Sequence, residues 1–275
     1  VFIIQDKEKA FATVNNLFQG KIDGIKTKLI LVEEFLKGEE ASFICLVSGE
    51  EIIPLASSKD HKKLHNGDLG PNTGGMGAYS PTKLIDNELS KTIINQIIRP
   101  TLIELKKINI DYQGFLYAGL MIDKDKNPYV LEYNCRLGDP ETQAILMRLE
   151  SDITDIFLAT INSKLSNLEI KWKNESACTI VLASEGYPGS YEKNKKIEGL
   201  EHKVNGVKIF HSGTKLNNGH FVTNGGRVLS VTALGVNLQV AQAKAYDRCN
   251  QVSWEGKIKR HDIGDKEINN KFIFS

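Results

Sequence analysis

Hydrophobic positions recur with two periods along the chain, and together they predict a mixed α+β protein. The helical period is clearest after Asp6, which can cap a helix whose apolar stripe runs to a stop at Gly20. Similar stripes predict helices at 86–105, with a kink at Pro100, and at 139–149, 152–162 and 238–250. Apolar runs predict strands at Val1–Ile4, Leu29–Val32, Ala41–Val47, Glu51–Ser57, Phe115–Ile122, Tyr129–Cys135, Ala177–Ala183, Val207–Ser212 and Val228–Leu234.

Two hairpins stand out among these strands. The turn Ser48–Glu50 joins the strands at 41–47 and 51–57, and the segment Asp123–Pro128 joins those at 115–122 and 129–135. The charged connection 170–176 then precedes a region with several glycine-punctuated strands and one helix. We expect this region to be a separate, smaller domain, in which Ser212–Lys215 and Asn224–Arg227 are turns.

The segment Ser58–Pro81 follows neither period and contains five glycines and two prolines. An irregular segment of this length inside a compact domain is usually functional or disordered. It has neither the Lys-Ser/Thr ending of a P-loop nor the spacing of a dinucleotide-binding loop. Two interpretations therefore stay open: a mobile surface loop, or glycines that let backbone N–H groups close on a polar ligand, with Asp60 available for an amine.

Polar side chains interrupt the end of an apolar strand at 130–143. Because strand side chains alternate, Glu132, Asn134 and Arg136 are predicted to share one face. Asp139 and Pro140 resemble an N-cap and first helical residue, which would aim free N–H groups at that face. Two oxygen ligands beside an arginine suit a magnesium-bound phosphate. The alternative is a set of exposed polar residues on a half-solvated strand.

The acidic segment 33–40 also has two interpretations. It is either a solvated acidic edge or a linker at a strand end that binds a nucleoside. In the second case the backbone of Glu33–Leu36 would contact an adenine edge and Glu40 would accept hydrogen bonds from ribose hydroxyls, as carboxylates do in dinucleotide folds.

Composition narrows the classes of partner. The 275 residues carry a net charge of +1, which gives no argument for a nucleic-acid or membrane-surface partner. The four cysteines are widely spaced and predict reduced thiols, with Cys135 packed on the face opposite Glu132, and the six histidines have no metal-ligand spacing. No apolar run approaches the ~20 residues of a membrane helix, so we expect a cytoplasmic protein. The start at Val1, without Met, suggests a piece of a longer chain.

The order of these motifs resembles the glycinamide ribonucleotide synthetase (phosphoribosylamine–glycine ligase) family of the ATP-grasp superfamily. The resemblance covers nearly the whole chain up to Gly264. Its motifs are Glu33–Leu36, Gly38–Ser42, Lys59–Lys62, Gly70–Pro81, Gly114–Asp123, Glu132–Gln143, Phe210–Thr214 and Thr223–Val228. The resemblance implies an α+β ATP-grasp fold: part of the lid subdomain at 1–33, the large antiparallel-sheet subdomain at 34–175 and a small β-rich C-terminal domain at 176–275.

It also implies an ATP-dependent carbon–nitrogen ligase of de novo purine biosynthesis. Glycine carboxylate would attack the γ-phosphate of ATP, and 5-phosphoribosylamine would displace phosphate from glycyl phosphate to give glycinamide ribonucleotide. Such chemistry needs alignment and charge neutralisation rather than a protein nucleophile. The implied metal ligands, for Mg²⁺ or Mn²⁺, are Glu132 and Asn134; the catalytic residues are Arg136, Asp139 and Glu141; the ATP contacts are Glu33, Glu34, Phe35, Leu36 and Glu40; and the residues for the amine and glycine are Asp60, Lys62, Asn72, Thr73, Gly74, Gly75, Met76 and Gly77.

The chain departs from the family in two ways. The strand at 115–122 carries no third metal-binding acid, and the family's N-terminal domain and phosphate-covering loop are not in this sequence. We therefore expect the chain alone to be inactive or nearly so without the missing portion of the same protein. The alternatives are another ATP-grasp carboxylate–amine ligase and a non-catalytic nucleotide-binding remnant.

Overall fold

The computed structural model describes residues 2–22 and 27–272, and its contacts divide the chain into two units, 1–37 and 38–275. In the first unit the helix α1 spans Lys7–Phe18 and is capped by Asp6, whose carboxylate accepts a hydrogen bond from the N–H of Lys9 at 2.8 Å. This helix was predicted. The strands predicted at 1–4 and 29–32 are wrong where the structure describes them, because no neighbouring strand pairs with residues 2–4 or 29–32 in the described part of the chain. Val1 lies outside that part.

The second unit contains the remaining elements. Its helices are α2 Asn87–Ile93, α3 Arg99–Lys107, α4 Glu141–Met147, α5 Ile153–Ile161, α6 Leu238–Asn250 and α7 Asp265–Ile268, with a π turn at Ile94–Ile98 and a 3₁₀ turn at Leu165–Asn167. Its strands are β1 Glu39–Ser48, β2 Glu51–Pro54, β3 Lys59–Asp60, β4 Lys63–His65, β5 Leu69–Asn72, β6 Gly77–Ser80, β7 Gln113–Ile122, β8 Pro128–Asn134, β9 Ser176–Ser184, β10 Val207–His211, β11 Thr214–Asn217, β12 His220–Thr223, β13 Arg227–Gly235 and β14 Lys257–Ile258.

Four antiparallel strands form the first sheet, in the order β2-β1-β7-β8. Both predicted hairpins are confirmed, and the Gly49 turn between β1 and β2 has φ +61°, which glycine adopts without strain. One face of β1, with Phe43 and Val47, packs against α2 and α3, while the other, with Ile44 and Leu46, packs against the segments that include α4 and α5. Both faces of the strand are therefore buried, and polar groups can gather only at its ends.

The helix predicted at 86–105 is present but is interrupted. α2 leads through the π turn 94–98 into α3, and Pro100 occupies the first turn of α3. Proline has no N–H to donate to the preceding turn, so a widened turn immediately before it keeps the helix continuous. The sequence located the irregularity but not its form.

The second sheet joins distant parts of the chain, in the order β10-β13-β9-β6-β3 with β14 beside β9. The strands β3 and β6 lie inside 58–81, so the prediction of an irregular segment there is wrong. β6 is short, and Gly77 pairs so closely with β9 that a Cβ atom would lie 2.6 Å from the carbonyl oxygen of Thr179. Glycine is required for this contact, and it also hides the alternating pattern of a strand.

The strands predicted at 177–183, 207–212 and 228–234 are confirmed as β9, β10 and β13, and α6 has the predicted bounds. Since β3 and β6 precede residue 175, the sheet contains strands from both sides of the predicted domain boundary, which stays a prediction. At the chain's end, α7 places the buried carboxylate of Glu267 within 3.0 Å of the Tyr79 hydroxyl and 2.8 Å of the Thr82 hydroxyl. Among the helices that the structure describes, none is both long and apolar enough to cross a membrane.

Candidate functional site

Three charged side chains meet where β1, β3 and β8 approach one another. The Nζ atom of Lys62 lies 3.6 Å from Oε2 of Glu40 and 3.7 Å from Oε1 of Glu132. Burial lowers the pKa of Lys62, but the neighbouring carboxylates outweigh this effect and leave it above its ordinary value. Lys62 is therefore a stable cation between two acids, at the edge of a small pocket that Asp60 and Tyr117 also line.

A buried acid forms the floor of this region. Glu141 is 2% exposed, and its Oε1 atom accepts a hydrogen bond from the Ser42 hydroxyl at 2.7 Å; that hydroxyl is also 3.0 Å from the hydroxyl of Tyr117. Removal from water, and then the charge of Glu141, raise the pKa of Asp60 well above its usual range. The same two causes raise the pKa of Tyr117. Asp60 is thus an acid that holds its proton more readily than an exposed aspartate, beside a lysine whose charged form is stabilised.

The two predicted metal ligands are neighbours on one face of β8. Asn134 is opposite Tyr117 of β7, and Glu132 is opposite Gly119, where an added Cβ would lie 3.1 Å from Cγ of Glu132. Their carboxylate and amide oxygens suit a hard cation. Within residues 2–22 and 27–272 no group of three or more acidic, histidine or cysteine side chains could hold a metal ion. The residues fit Mg²⁺ only if phosphate oxygens and water supply the other ligands.

The turn after β8 differs from its predicted form. Asp139 is not the N-cap of α4: the helix begins at Glu141, and Pro140 occupies the capping position. The Asp139 carboxylate instead accepts hydrogen bonds from Gln143 at 2.9 Å and from Arg227 at 3.0 Å, so a tertiary ion pair replaces the local cap.

Two other side chains in this turn are exposed. The guanidinium of Arg136 donates to the neighbouring Leu137 carbonyl at 2.8 Å, which is its one hydrogen bond among the described residues. Its other donors are available to an anion. Cys135 is also exposed, so the prediction that it packs in the interior is wrong: it directly follows β8, which is an edge strand of its sheet.

Arg227, which was predicted from the sequence to lie in a simple turn, joins two parts of the site. From the start of β13, its Nη1 atom donates to the carbonyl oxygens of Gly74 and Asp139, both at 2.6 Å. The hydroxyl of Tyr187 accepts a hydrogen bond from the N–H of Gly74 at 2.8 Å. Arg227 thus joins the glycine-rich loop to the turn that contains Asp139, and Tyr187 gives the same loop a second contact. The signal available in the sequence was the place of Arg227 within the Thr223–Val228 motif.

The predicted substrate loop contains residues with different surroundings. Thr73 donates through its hydroxyl to the Lys62 carbonyl at 2.8 Å and accepts from the N–H of Gly75 at 3.0 Å. Gly75 has φ +110°, and a Cβ there would lie 2.6 Å from Oδ1 of Asp60. Asn72 ends the exposed strand β5, Met76 is fully buried, and Gly77 belongs to β6. The structure therefore brings Lys62, Thr73, Gly74 and Gly75 close to Asp60.

The predicted ATP residues are divided between the two units. Glu33, Glu34 and Phe35 are exposed and Leu36 is half-buried in the first unit, and Glu40 is half-buried on β1 in the second. Their role in binding ATP stays a prediction.

A second, buried pair of charges joins β3 to β1. Nζ of Lys59 lies 2.7 Å from Oε2 of Glu39, and both side chains are about 6% exposed. The adjacent His61 is also buried: its Nε2 atom accepts a hydrogen bond from the N–H of Gly264 at 3.3 Å, and burial lowers its pKa to about 3. The Lys59–Glu39 ion pair thus holds the strand that carries Asp60 to β1, and the His61–Gly264 hydrogen bond holds the residue after that strand to the C-terminal part of the chain.

Comparisons with known families match both parts of the chain. Residues 1–142 match the model of the phosphoribosylglycinamide synthetase ATP-grasp (A) domain, and residues 177–266 match the model of the phosphoribosylglycinamide synthetase C domain.

Curated relatives have the same assignment along nearly all of the chain. A phosphoribosylamine–glycine ligase from Vibrio parahaemolyticus is 48% identical over 269 residues, which are 98% of this chain and 63% of the relative. The chloroplastic ligase of Arabidopsis thaliana is 45% identical, over 99% of this chain and 52% of the relative. The chain therefore spans between about half and two thirds of the length of these relatives.

Solved structures agree on the fold. The crystal structure of phosphoribosylamine–glycine ligase from Thermotoga maritima matches 95% of this chain and 65% of its own with a TM-score of 0.85 and 36% identity. A biotin carboxylase from Campylobacter jejuni, in complex with an ATP analogue, matches 98% of this chain and 59% of its own with a TM-score of 0.65. Its identity is 15%, so this second likeness concerns the fold alone.

Proposed function

The chain belongs to the phosphoribosylglycinamide synthetase family, and from this membership we propose that the protein containing it ligates glycine to 5-phosphoribosylamine with ATP. The products are glycinamide ribonucleotide, ADP and phosphate, as in de novo purine biosynthesis. The curated relatives and the solved relative from Thermotoga maritima support the proposal by their names.

One observation carries the proposal on the structural side. Lys62 lies within 3.7 Å of both Glu40 and Glu132. A residue that we propose to bind substrate is therefore adjacent to the proposed ribose-binding residue, Glu40, and to a proposed metal ligand, Glu132. A ligase of this class must bring a nucleotide, a carboxylate and an amine together before any bond changes. The close meeting of these three side chains supports a common reaction site.

Anionic intermediates need a positive group at the place where their negative charge develops. When bound, Mg²⁺ or Mn²⁺ would neutralise phosphate oxygens, and Glu132 and Asn134 would hold it. Arg136 lies two residues after the end of β8 and has free guanidinium donors. It would bind the transferring phosphoryl group or the acyl phosphate. Asp139 and Glu141 would contribute indirectly: Asp139 holds Arg227, and Glu141 raises the pKa of Asp60.

The amine and glycine would bind against Asp60 and the loop Asn72–Gly77. Gly74 and Gly75 allow the backbone to approach a ligand closely, and Arg227 keeps that backbone in place. Glu33–Leu36 would contact the adenine edge and Glu40 the ribose. We propose that 1–33 is part of the ATP-grasp lid subdomain, that 34–175 is the main ATP-grasp subdomain, and that the C-terminal domain 176–275 supports the glycine-rich loop.

An assay of the full-length protein tests the proposal. ADP release should require both glycine and 5-phosphoribosylamine, and mass spectrometry should identify glycinamide ribonucleotide as the product. Arg136→Ala should lower kcat by about 100-fold or more, since it removes a charge that would act on the reacting phosphoryl group. Lys208→Ala, an exposed change on β10, is the matched control. Preference for another carboxylic acid over glycine, or ATP binding without turnover, would overturn the assignment.

A further inference from the structure

A second cavity lies far from the reaction site. It has a volume of about 210 Å³ and opens to solvent between the Gly49 turn, the outer side of α3 and the segment before β7. Glu40 and Gly49 lie at opposite ends of β1, which separates them by about 30 Å at about 3.3 Å per residue. The cavity is therefore independent of the site around Lys62.

Its walls are fixed by backbone hydrogen bonds. The N–H of Gly49 donates to the carbonyl of Tyr112 at 3.1 Å, and the N–H of Ile110 donates to the carbonyl of Leu105 at 3.0 Å. The hydroxyl of Tyr112 donates to the Phe115 carbonyl at 2.6 Å. The hairpin turn, the end of α3 and the start of β7 are thus tied together, and the cavity is formed before any ligand binds.

The floor of the cavity is apolar. Ile52, Leu102 and Tyr112 belong to the hydrophobic core or pack directly against it. At the rim, Ile103 and Ile110 remain 48% and 45% exposed. A ligand that covered these two side chains would remove apolar surface from water, and this removal favours binding by about 25 cal/mol per Å².

Four charged side chains surround the opening. Nζ of Lys106 lies 2.8 Å from Oε1 of Glu50, so these two neutralise each other. Arg99 and Asp111 also line the cavity; the charge of Arg99 acts on Glu50 and that of Asp111 acts on Lys106, but neither side chain makes a direct hydrogen bond or ion pair with any residue that the structure describes. Among the described residues, one cation and one anion above the apolar floor therefore have no direct hydrogen-bonding partner.

We propose that this cavity binds a small zwitterion with an apolar body, of which an α-amino acid with an aromatic or branched side chain is the simplest. The guanidinium of Arg99 binds the ligand's carboxylate through paired N–H donors, and the Asp111 carboxylate binds its ammonium group. The apolar body packs on Ile52, Leu102 and Tyr112. A ligand with only one of the two charges would leave the other side chain of the pair without its partner.

Three related compounds test this inference by calorimetric titration of the full-length protein. L-Phenylalanine has both charges, 3-phenylpropanoate lacks the ammonium group, and phenethylamine lacks the carboxylate. We expect L-phenylalanine to bind at least about tenfold more tightly than either analogue. Arg99→Gln should remove the preference of the protein for L-phenylalanine over phenethylamine. Asp111→Asn should remove the preference of the protein for L-phenylalanine over 3-phenylpropanoate. Lys107→Gln, which is on α3 and does not line the cavity, should change none of the affinities.

A folding control keeps the test interpretable. Both substituted side chains are exposed, so the circular dichroism spectrum and the midpoint of urea unfolding should match those of the unchanged protein. No binding of L-phenylalanine at millimolar concentration overturns the proposal. Equal affinity for the three compounds, or binding by folded Arg99→Gln and Asp111→Asn that matches the unchanged protein, also overturns it.

Discussion

The guanidinium of Arg227 lies 3.0 Å from the carboxylate of Asp139, and the two residues are separated by 88 positions in the sequence. The same guanidinium donates to the Gly74 carbonyl at 2.6 Å. One side chain of the C-terminal region thus holds two turns that contain proposed substrate and catalytic residues. We infer that Arg227 is a positioning residue, because it acts through the loop rather than on the substrate.

Arg227→Lys should lower kcat/KM for glycine by about 10- to 100-fold, because an ammonium group cannot reproduce the fork of donors and small misplacements of a site are costly. Steady-state kinetics of the full-length protein measures this. The KM for ATP should change less than the KM for glycine, a difference that general loss of folded protein would not produce. Lys208→Gln is the surface control. Unchanged kinetics for both substrates in Arg227→Lys would contradict the positioning role.

Gly75→Ala should disrupt the loop more than alanine does at a glycine with positive φ and open space around it, because the added Cβ at Gly75 has no room. A Cβ at Gly75 would lie 2.6 Å from Oδ1 of Asp60 and would also collide with Pro140. Gly67 has φ +70° but open space around it, so Gly67→Ala should cost only about 1 kcal/mol of the free energy of unfolding. We expect Gly75→Ala to lower glycine-dependent turnover by about 100-fold and Gly67→Ala to retain it. Equal effects of the two substitutions on turnover would show that the collision is relieved without consequence.

Glu141→Gln should lower the pKa of Asp60. Burial is the larger cause of the raised pKa and remains in the variant, but the negative charge of Glu141 is removed. Glutamine also keeps an acceptor for the Ser42 hydroxyl. Carboxyl carbon chemical shifts measured against pH report the change directly. Glu104→Gln, an exposed substitution on α3, should leave the Asp60 titration unchanged, and an Asp60 pKa that does not fall in Glu141→Gln would refute the coupling.

His61 should make the protein less stable in acid. Its pKa is about 3 when folded, because burial opposes the charged ring, and its ordinary value is 6.5. Below pH 6.5 the unfolded chain therefore takes up a proton that the folded chain does not. The free energy of unfolding should fall by up to about 1.4 kcal/mol per pH unit from 6.5 towards 3 for this group.

Urea unfolding at pH 7, 6 and 5 measures this effect. His61→Gln keeps an acceptor for the Gly264 N–H and should show a shallower loss of stability than the unchanged protein. The comparison is needed because Asp60, whose pKa is raised, contributes the opposite trend, and its contribution is common to both proteins. His202→Gln, at an exposed position, should retain the full slope. Parallel slopes for the unchanged protein and His61→Gln would contradict the prediction.

The sequence by itself determined the elements whose side chains repeat over long, uninterrupted stretches. The helices α1 and α6, the hairpins β1–β2 and β7–β8, and the placement of Glu132 and Asn134 on one strand face all follow from local periodicity. The α+β ATP-grasp fold and the family also followed from motif order, because each motif combines residue types that rarely occur together by chance. These features depend on contacts between residues near in sequence or on chemistry written directly in the motif.

Only the tertiary structure decided which distant residues complete the site. Arg227 reaches Asp139 and Gly74 because β13 and β6 lie in one sheet on either side of β9, and no local pattern encodes that order. The same long-range ion pair overrode the predicted N-cap at Asp139, since a charged partner stabilises the carboxylate more than a local backbone donor does. Likewise, β6 within 58–81 forms because β9 supplies its hydrogen-bonding partners, a contribution that the segment's own glycine-rich sequence does not reveal.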